Sequence, residues 1–214
     1  MDNYYDIEEP TKKGFTFGKL LKWILYGAAL LIIGILVVRC SLYSDDKLVK
    51  KVLVNDVTRA AYAGEDFKVE QYGMDSPWQV VQERRMVEFN CLYHIKAARQ
   101  LQFSVKYNTD IVEHIREEDG LPFKFKIVDN FSNVYEDYFF EATEKFGYGY
   151  IRLCFENVEL IDESAEPDEY GNKPRKKYTV YVYELDDDGE YFELFRYRLY
   201  DGSPISKTIK FRLK

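Results

Sequence analysis

The chain has 214 residues, 17% of them aromatic, with 30 Lys and Arg against 37 Asp and Glu for a formal net charge of −7. Residues 1–44 hold five basic and four acidic side chains, which leaves −8 on residues 45–214. An acidic body argues against nucleic acid as a partner, the aromatic content argues for β-structure over disorder, and three cysteines exclude a disulfide-dense scaffold.

Residues 1–18 are polar, with Pro10 and Gly14, and read as a tail. A transmembrane helix is expected over 19–43. Trp23 to Val38 contains no charge, and the apolar run from Leu20 to Val38 covers nineteen positions interrupted only by Lys22. As a helix it is about 28 Å long, close to the ~30 Å hydrocarbon core of a bilayer. A single segment can satisfy its backbone in lipid only as a helix. Lys22 reaches the interface along its stem. Arg39-Cys40-Ser41 follows, with no small-x-small cleavage pattern, so a retained anchor is favoured over a cleaved signal peptide. Membrane lipid is therefore the expected partner of residues 20–43. Lys12, Lys13, Lys19 and Lys22 before the span nearly balance Arg39, Lys47, Lys50, Lys51 and Arg59 after it. The short N-terminal tail favours an extracytoplasmic C-terminal domain.

Residues 44–72 read as a membrane-proximal helix and connector. Asp45 or Asp46 can cap a helix running to Ala63, with Leu48, Val49, Val52, Leu53 and Ala60 as its apolar stripe and Gly64 as its stop. After Gly64 the period becomes two: Phe67, Val69 and Gln71 begin a short strand, and a β-sandwich domain is expected over 73–214. Val87, Phe89, Cys91, Tyr93 and Ile95 share one phase of a strand. Leu101, Phe103, Val105 and Tyr107 alternate with Gln102, Ser104, Lys106 and Asn108, the pattern of a sheet with one wet face. Phe123, Phe125 and Ile127 alternate with lysines, and a helical break is expected over Thr109–Glu118. Further strands are expected over 135–140, 148–161, 178–185 and 190–200, the last two joined at Asp186-Asp187-Asp188-Gly189. The final one carries Ile209, Phe211 and Leu213. A polar, mobile loop separates 161 from 178. Together these predict a mainly β protein: an antiparallel β-sandwich, with an immunoglobulin-like connectivity as one option, although Trp78 precedes Cys91 where that fold has Cys before Trp. The phases of Cys91 and Cys154 do not favour a disulfide.

Chemistry is sparse. His94 falls on the polar phase of its strand and His114 lies near Glu113 and Glu117. No zinc spacing, nucleophile elbow or phosphate-cradling glycine loop exists, and the Asp186–Glu190 acids read as a charged turn. No catalytic, metal or cofactor-binding residue is expected, and no cofactor. Tyr148 and Tyr150, on the phase opposite Ile151, Leu153 and Phe155, are candidates for an exposed platform for a glycan or protein partner. The expected function is a single-pass, membrane-anchored, non-catalytic binding or structural module. The alternatives are a membrane-tethered hydrolase acting on cell-surface material and a carbohydrate-binding module.

Overall fold

The computed structural model describes residues 17–42, 48–64, 66–74, 78–81, 85–111, 121–145, 147–185 and 189–213. The chain divides into two compact units, Met1–Ser44 and Asp45–Lys214. The first contains α1 (Phe17–Leu42). Its stretch Phe17–Arg39, 23 residues, buries none of its apolar window within the protein and is long and apolar enough to cross a bilayer.

The second unit is mainly β, with eleven described strands: β1 (Val69–Tyr72), β2 (Trp78–Val81), β3 (Arg85–Ile95), β4 (Gln100–Asn108), β5 (Phe123–Asp129), β6 (Val134–Tyr135), β7 (Tyr138–Lys145), β8 (Tyr148–Phe155), β9 (Tyr178–Leu185), β10 (Tyr191–Tyr200) and β11 (Lys207–Ile209). One antiparallel sheet runs β11-β1-β3-β4-β8-β7, and β2 pairs with the first half of β3 on the flank that β1 occupies at the second half. The other sheet runs β10-β9-β5-β6. Between them lies an aromatic interior. Phe89 stacks on Tyr197 at 4.4 Å, and Phe103 lies parallel to Phe155 at 5.8 Å. The region expected as one strand over 135–140 is two, because the chain crosses from one sheet to the other between Tyr135 and Tyr138. The strand expected over 148–161 ends at Phe155.

β3 departs from simple alternation. Asn90 pairs with Ser104 and Tyr93 with Gln102, so Cys91 and Leu92 together oppose Phe103. This is a β-bulge, with Cys91 at φ 55, a left-handed conformation uncommon for a residue with a Cβ. One inserted residue reverses the phase of everything after it. Val87 and Phe89 face the interior as expected, but Tyr93 and Ile95 do not follow them. They turn outward into a second apolar cluster with Val69 and Ala98, while Leu92 and His94 turn inward.

The outer face of β4 also differs from expectation. Gln100, Gln102 and Ser104 are buried. The segment 48–62 covers that end of the sheet. The Gln102 carboxamide accepts from Leu53 N–H at 2.8 Å and donates to Leu53 C=O at 3.1 Å, as a neighbouring strand would. This pairing explains why no helix spans 45–63. Leu48 and Val49 are helical, 51–55 are irregular, and α2 (Asp56–Tyr62) begins only after Asn55, whose side chain forms a capping box with Thr58. Thr58 Oγ1 donates to Gln100 Oε1 at 2.9 Å, tying the helix to β4. The described residues of 48–72 therefore belong to the β unit, contributing β1 and the buried Val49 and Leu53. The loop 162–177 is internally bonded, with Asp168 accepting from Tyr170 N–H and Asn172 N–H. Asp45, Asp46, His114 and Asp186–Asp188 lie outside the described residues, as does the expected helical break beyond Ile111.

Candidate functional site

The bulge at Cys91 builds the site. It directs His94 into the space between the sheets, directly across from Glu70 on β1 and Leu101 on β4. Here His94 is 5% exposed, in contrast to the solvent-facing phase expected for it. Among the described residues its Nδ1 and Nε2 are the buried side-chain nitrogen or oxygen atoms that lack a hydrogen-bond partner. Buried polar groups are bonded in the great majority of cases, so two orphaned nitrogens on one ring set this residue apart.

Nδ1 stands 3.7 Å from Glu70 Oε2, an electrostatic contact beyond hydrogen-bond length. The same oxygen accepts the Tyr72 hydroxyl at 3.0 Å. The imidazole first, and then the Tyr72 hydroxyl and the charges of His94 and Lys96, hold the Glu70 carboxyl below its ordinary range, against the opposing pull of burial. Burial above all, with the Glu70 charge behind it, pushes the Tyr72 phenol up. The floor thus consists of an ionised carboxylate, an imidazole without bonds and a phenol oxygen whose proton is already directed at Glu70.

These groups border a cavity of about 210 Å³. That is far more than the about 10–15 Å³ one water needs, and less than the about 300 Å³ at which clefts for drug-sized ligands begin. Val158, Leu160, Ile161 and Ile205 make its walls, together with the Tyr72 and Tyr200 rings, which meet edge to face at 4.8 Å. Its mouth is charged. Arg99 pairs with Glu159 at 3.0 Å, Glu163 with Lys173 at 3.1 Å, and Arg175 Nη1 donates to Ser203 C=O at 3.2 Å. Among the described residues no serine, threonine or cysteine lines the cavity. A broader groove of about 730 Å³ beside β7 contains no orphaned buried group among the described residues.

The expected tyrosine platform divides. Tyr148 is 38% exposed but Tyr150 only 6%. The Lys106 ammonium lies 4.6 Å from the first ring centroid and 5.9 Å from the second, so the rings carry a cation and present no open coplanar pair. On the outer face of the second sheet, Lys126 likewise sits 5.3 Å from Tyr181 and 5.1 Å from Tyr183, with Arg196 4.9 Å from Tyr181.

Neither Cys91 nor Cys154 is in a disulfide. Cys154 lies on the outer face as expected, and the bulge brings Cys91 to that same face, separated from it by β4. Two strand spacings, about 9–10 Å, exceed the about 7 Å that a disulfide can span. Burial, then the Glu156 charge, pushes the Cys154 thiol up to about 12, so it is no nucleophile. No group of three or more metal-ligating side chains occurs among the described residues. Comparison with protein-family models, curated proteins and solved structures finds no match for this chain.

Proposed function

We propose that this chain is a single-pass membrane protein whose apolar helix stays in lipid. It carries an extracytoplasmic, immunoglobulin-like sandwich that acts as a non-catalytic binding module. The observation that carries the binding role is the His94 floor: a buried imidazole with two unsatisfied nitrogens, on a side chain that lines a cavity where no Ser, Thr or Cys stands among the described residues. The His94–Glu70 pair resembles the base and orienting acid of a hydrolase, but without an attacking side chain among the described residues it supports recognition better than bond cleavage.

The immunoglobulin-like assignment draws support from strand order. β3-β4-β8-β7 against β10-β9-β5-β6 follows the A-B-E-D and G-F-C-C′ arrangement of that fold, with β1, β2 and β11 added at the A edge. At the start of β9, the F position, the buried Tyr178 hydroxyl donates to Glu159 C=O at 2.6 Å, in the manner of the tyrosine corner.

Two experiments test the proposal. External protease added to intact cells should remove a C-terminal tag; a tag that stays protected overturns the orientation. A thermal-shift screen of the full chain in detergent should find small polar ligands that raise the midpoint, an effect lost in His94→Phe. A screen silent across cationic, anionic and zwitterionic compounds overturns the binding role.

A further inference from the structure

The floor and mouth of the His94 cavity differ in the charge they accept, and the difference defines a ligand. We infer that the cavity takes a small zwitterion, with its ammonium group at the floor and its carboxylate at the mouth. This rests on the cavity being a binding site, and it adds which chemistry the site selects.

At the floor the Glu70–Tyr72 pair presents acceptors. The Glu70 carboxylate has lone pairs beyond the one used by Tyr72. Tyr72 Oη, having donated its proton to Glu70, offers a lone pair of its own. Both nitrogens of His94 are fully buried and without a hydrogen bond beside the Glu70 carboxylate. A carboxylate with a neighbouring phenol oxygen suits the N–H donors of a primary ammonium. A carboxylate in that place would meet Glu70 at close range.

The mouth has the opposite bias. Arg99 is neutralised by Glu159 and Glu163 by Lys173, which leaves the charges of Lys96 and Arg175 to set the field. A guanidinium suits a carboxylate's geometry, and its Nη1 contact is with a backbone carbonyl, not with a side-chain anion. The apolar wall of Val158, Leu160, Ile161 and Ile205 fits a short methylene stem between the two ends. The volume of about 210 Å³ restricts the ligand to a few heavy atoms.

The test uses the full-length chain in detergent micelles, titrated calorimetrically with glycine, β-alanine, γ-aminobutyrate, n-butylamine and butyrate. One of the three zwitterions should bind at least tenfold more tightly than n-butylamine or butyrate. Glu70→Gln, which keeps the Tyr72 bond through its amide oxygen, should weaken that ligand at least tenfold. Arg175→Gln should weaken the zwitterion and leave n-butylamine unchanged, and an unchanged near-ultraviolet circular dichroism spectrum will show that both variants fold. Butyrate binding as tightly as any zwitterion, or zwitterion affinity indifferent to Glu70→Gln, overturns the ligand class while leaving a binding site in place. No heat with any of the five compounds, in a protein that also shows no ligand-induced thermal shift, overturns both.

Discussion

β3 and β4 face two buried environments that are held together differently. On the inner side Phe89, Phe103, Tyr197 and Phe155 meet as stacked rings, and cohesion comes from apolar area and dispersion. On the outer side the segment 48–62 is held by Gln100, Gln102, Asn55 and Thr58, with a small apolar cluster alongside. The cohesion of the inner layer scales with the area it buries. The outer one is a set of amide bonds, each of which leaves a buried partner stranded if broken. One strand pair can therefore support a general-purpose core on one side and a specified docking of its own N-terminal segment on the other.

The contrast should break most visibly at Phe89. Phe89→Ala removes a fully buried ring from the inner layer and should cost about 3–5 kcal/mol in denaturant unfolding. Gln102→Leu keeps the volume but strands Leu53 N–H and C=O, roughly 2–4 kcal/mol from two lost partners, and amide exchange should accelerate at Leu53 before it does in the strands. Gly149→Ala sharpens the packing side. A Cβ there would come within 2.0 Å of the Tyr107 ring, so a loss of about 1–3 kcal/mol is expected from overpacking, and Tyr107→Ala should relieve it in a double mutant.

Asp129 extends the contrast to charge. Burial pushes its carboxyl up, but the Asn133 side chain, Asn133 and Phe131 N–H and the Lys176 ammonium at 3.4 Å outweigh that and hold it below the ordinary range. A depressed folded-state pKa gives stability that is present above the unfolded value, near 4, and lost as pH falls through the folded one. Urea midpoints of the wild type should therefore drop below about pH 4 more steeply than those of Asp129→Asn. The smallest effect is expected at the bulge. Cys91→Gly removes a left-handed penalty of about 1–2 kcal/mol and forfeits both thiol contacts and some chain entropy, so stability should move by less than about 1 kcal/mol. Binding at the His94 cavity should persist, because the phase reversal depends on the residue count.

Much of the sandwich was legible because alternation is a direct record of a half-buried strand. Phe123, Phe125 and Ile127 point inward as their spacing implies, and so do Leu101, Phe103 and Val105. The inward set of β3 was legible only as far as Phe89. A bulge leaves no mark in residue type when its left-handed position is filled by cysteine in place of glycine, so His94 looked solvent-facing and the candidate site was invisible. The buried glutamines of β4 look like any polar phase; only the covering segment reveals that Gln102 replaces water with the Leu53 backbone and Gln100 with the Asn55 and Thr58 side chains. Tyr148 and Tyr150 do share the expected outer phase, but phase alone does not say that Lys106 lies over both rings.

Cys91 and Cys154 lie on one face with a whole strand between them, and that spacing keeps an internal disulfide from forming between them. Adding or withholding dithiothreitol should leave the body's unfolding curve in place, because no internal sulfur bridge joins this pair. The Tyr178 hydroxyl anchors the crossing after β8 to the second sheet with a hydrogen bond that no reductant can cleave. The sandwich is thus closed at this corner without a Cys91–Cys154 bond.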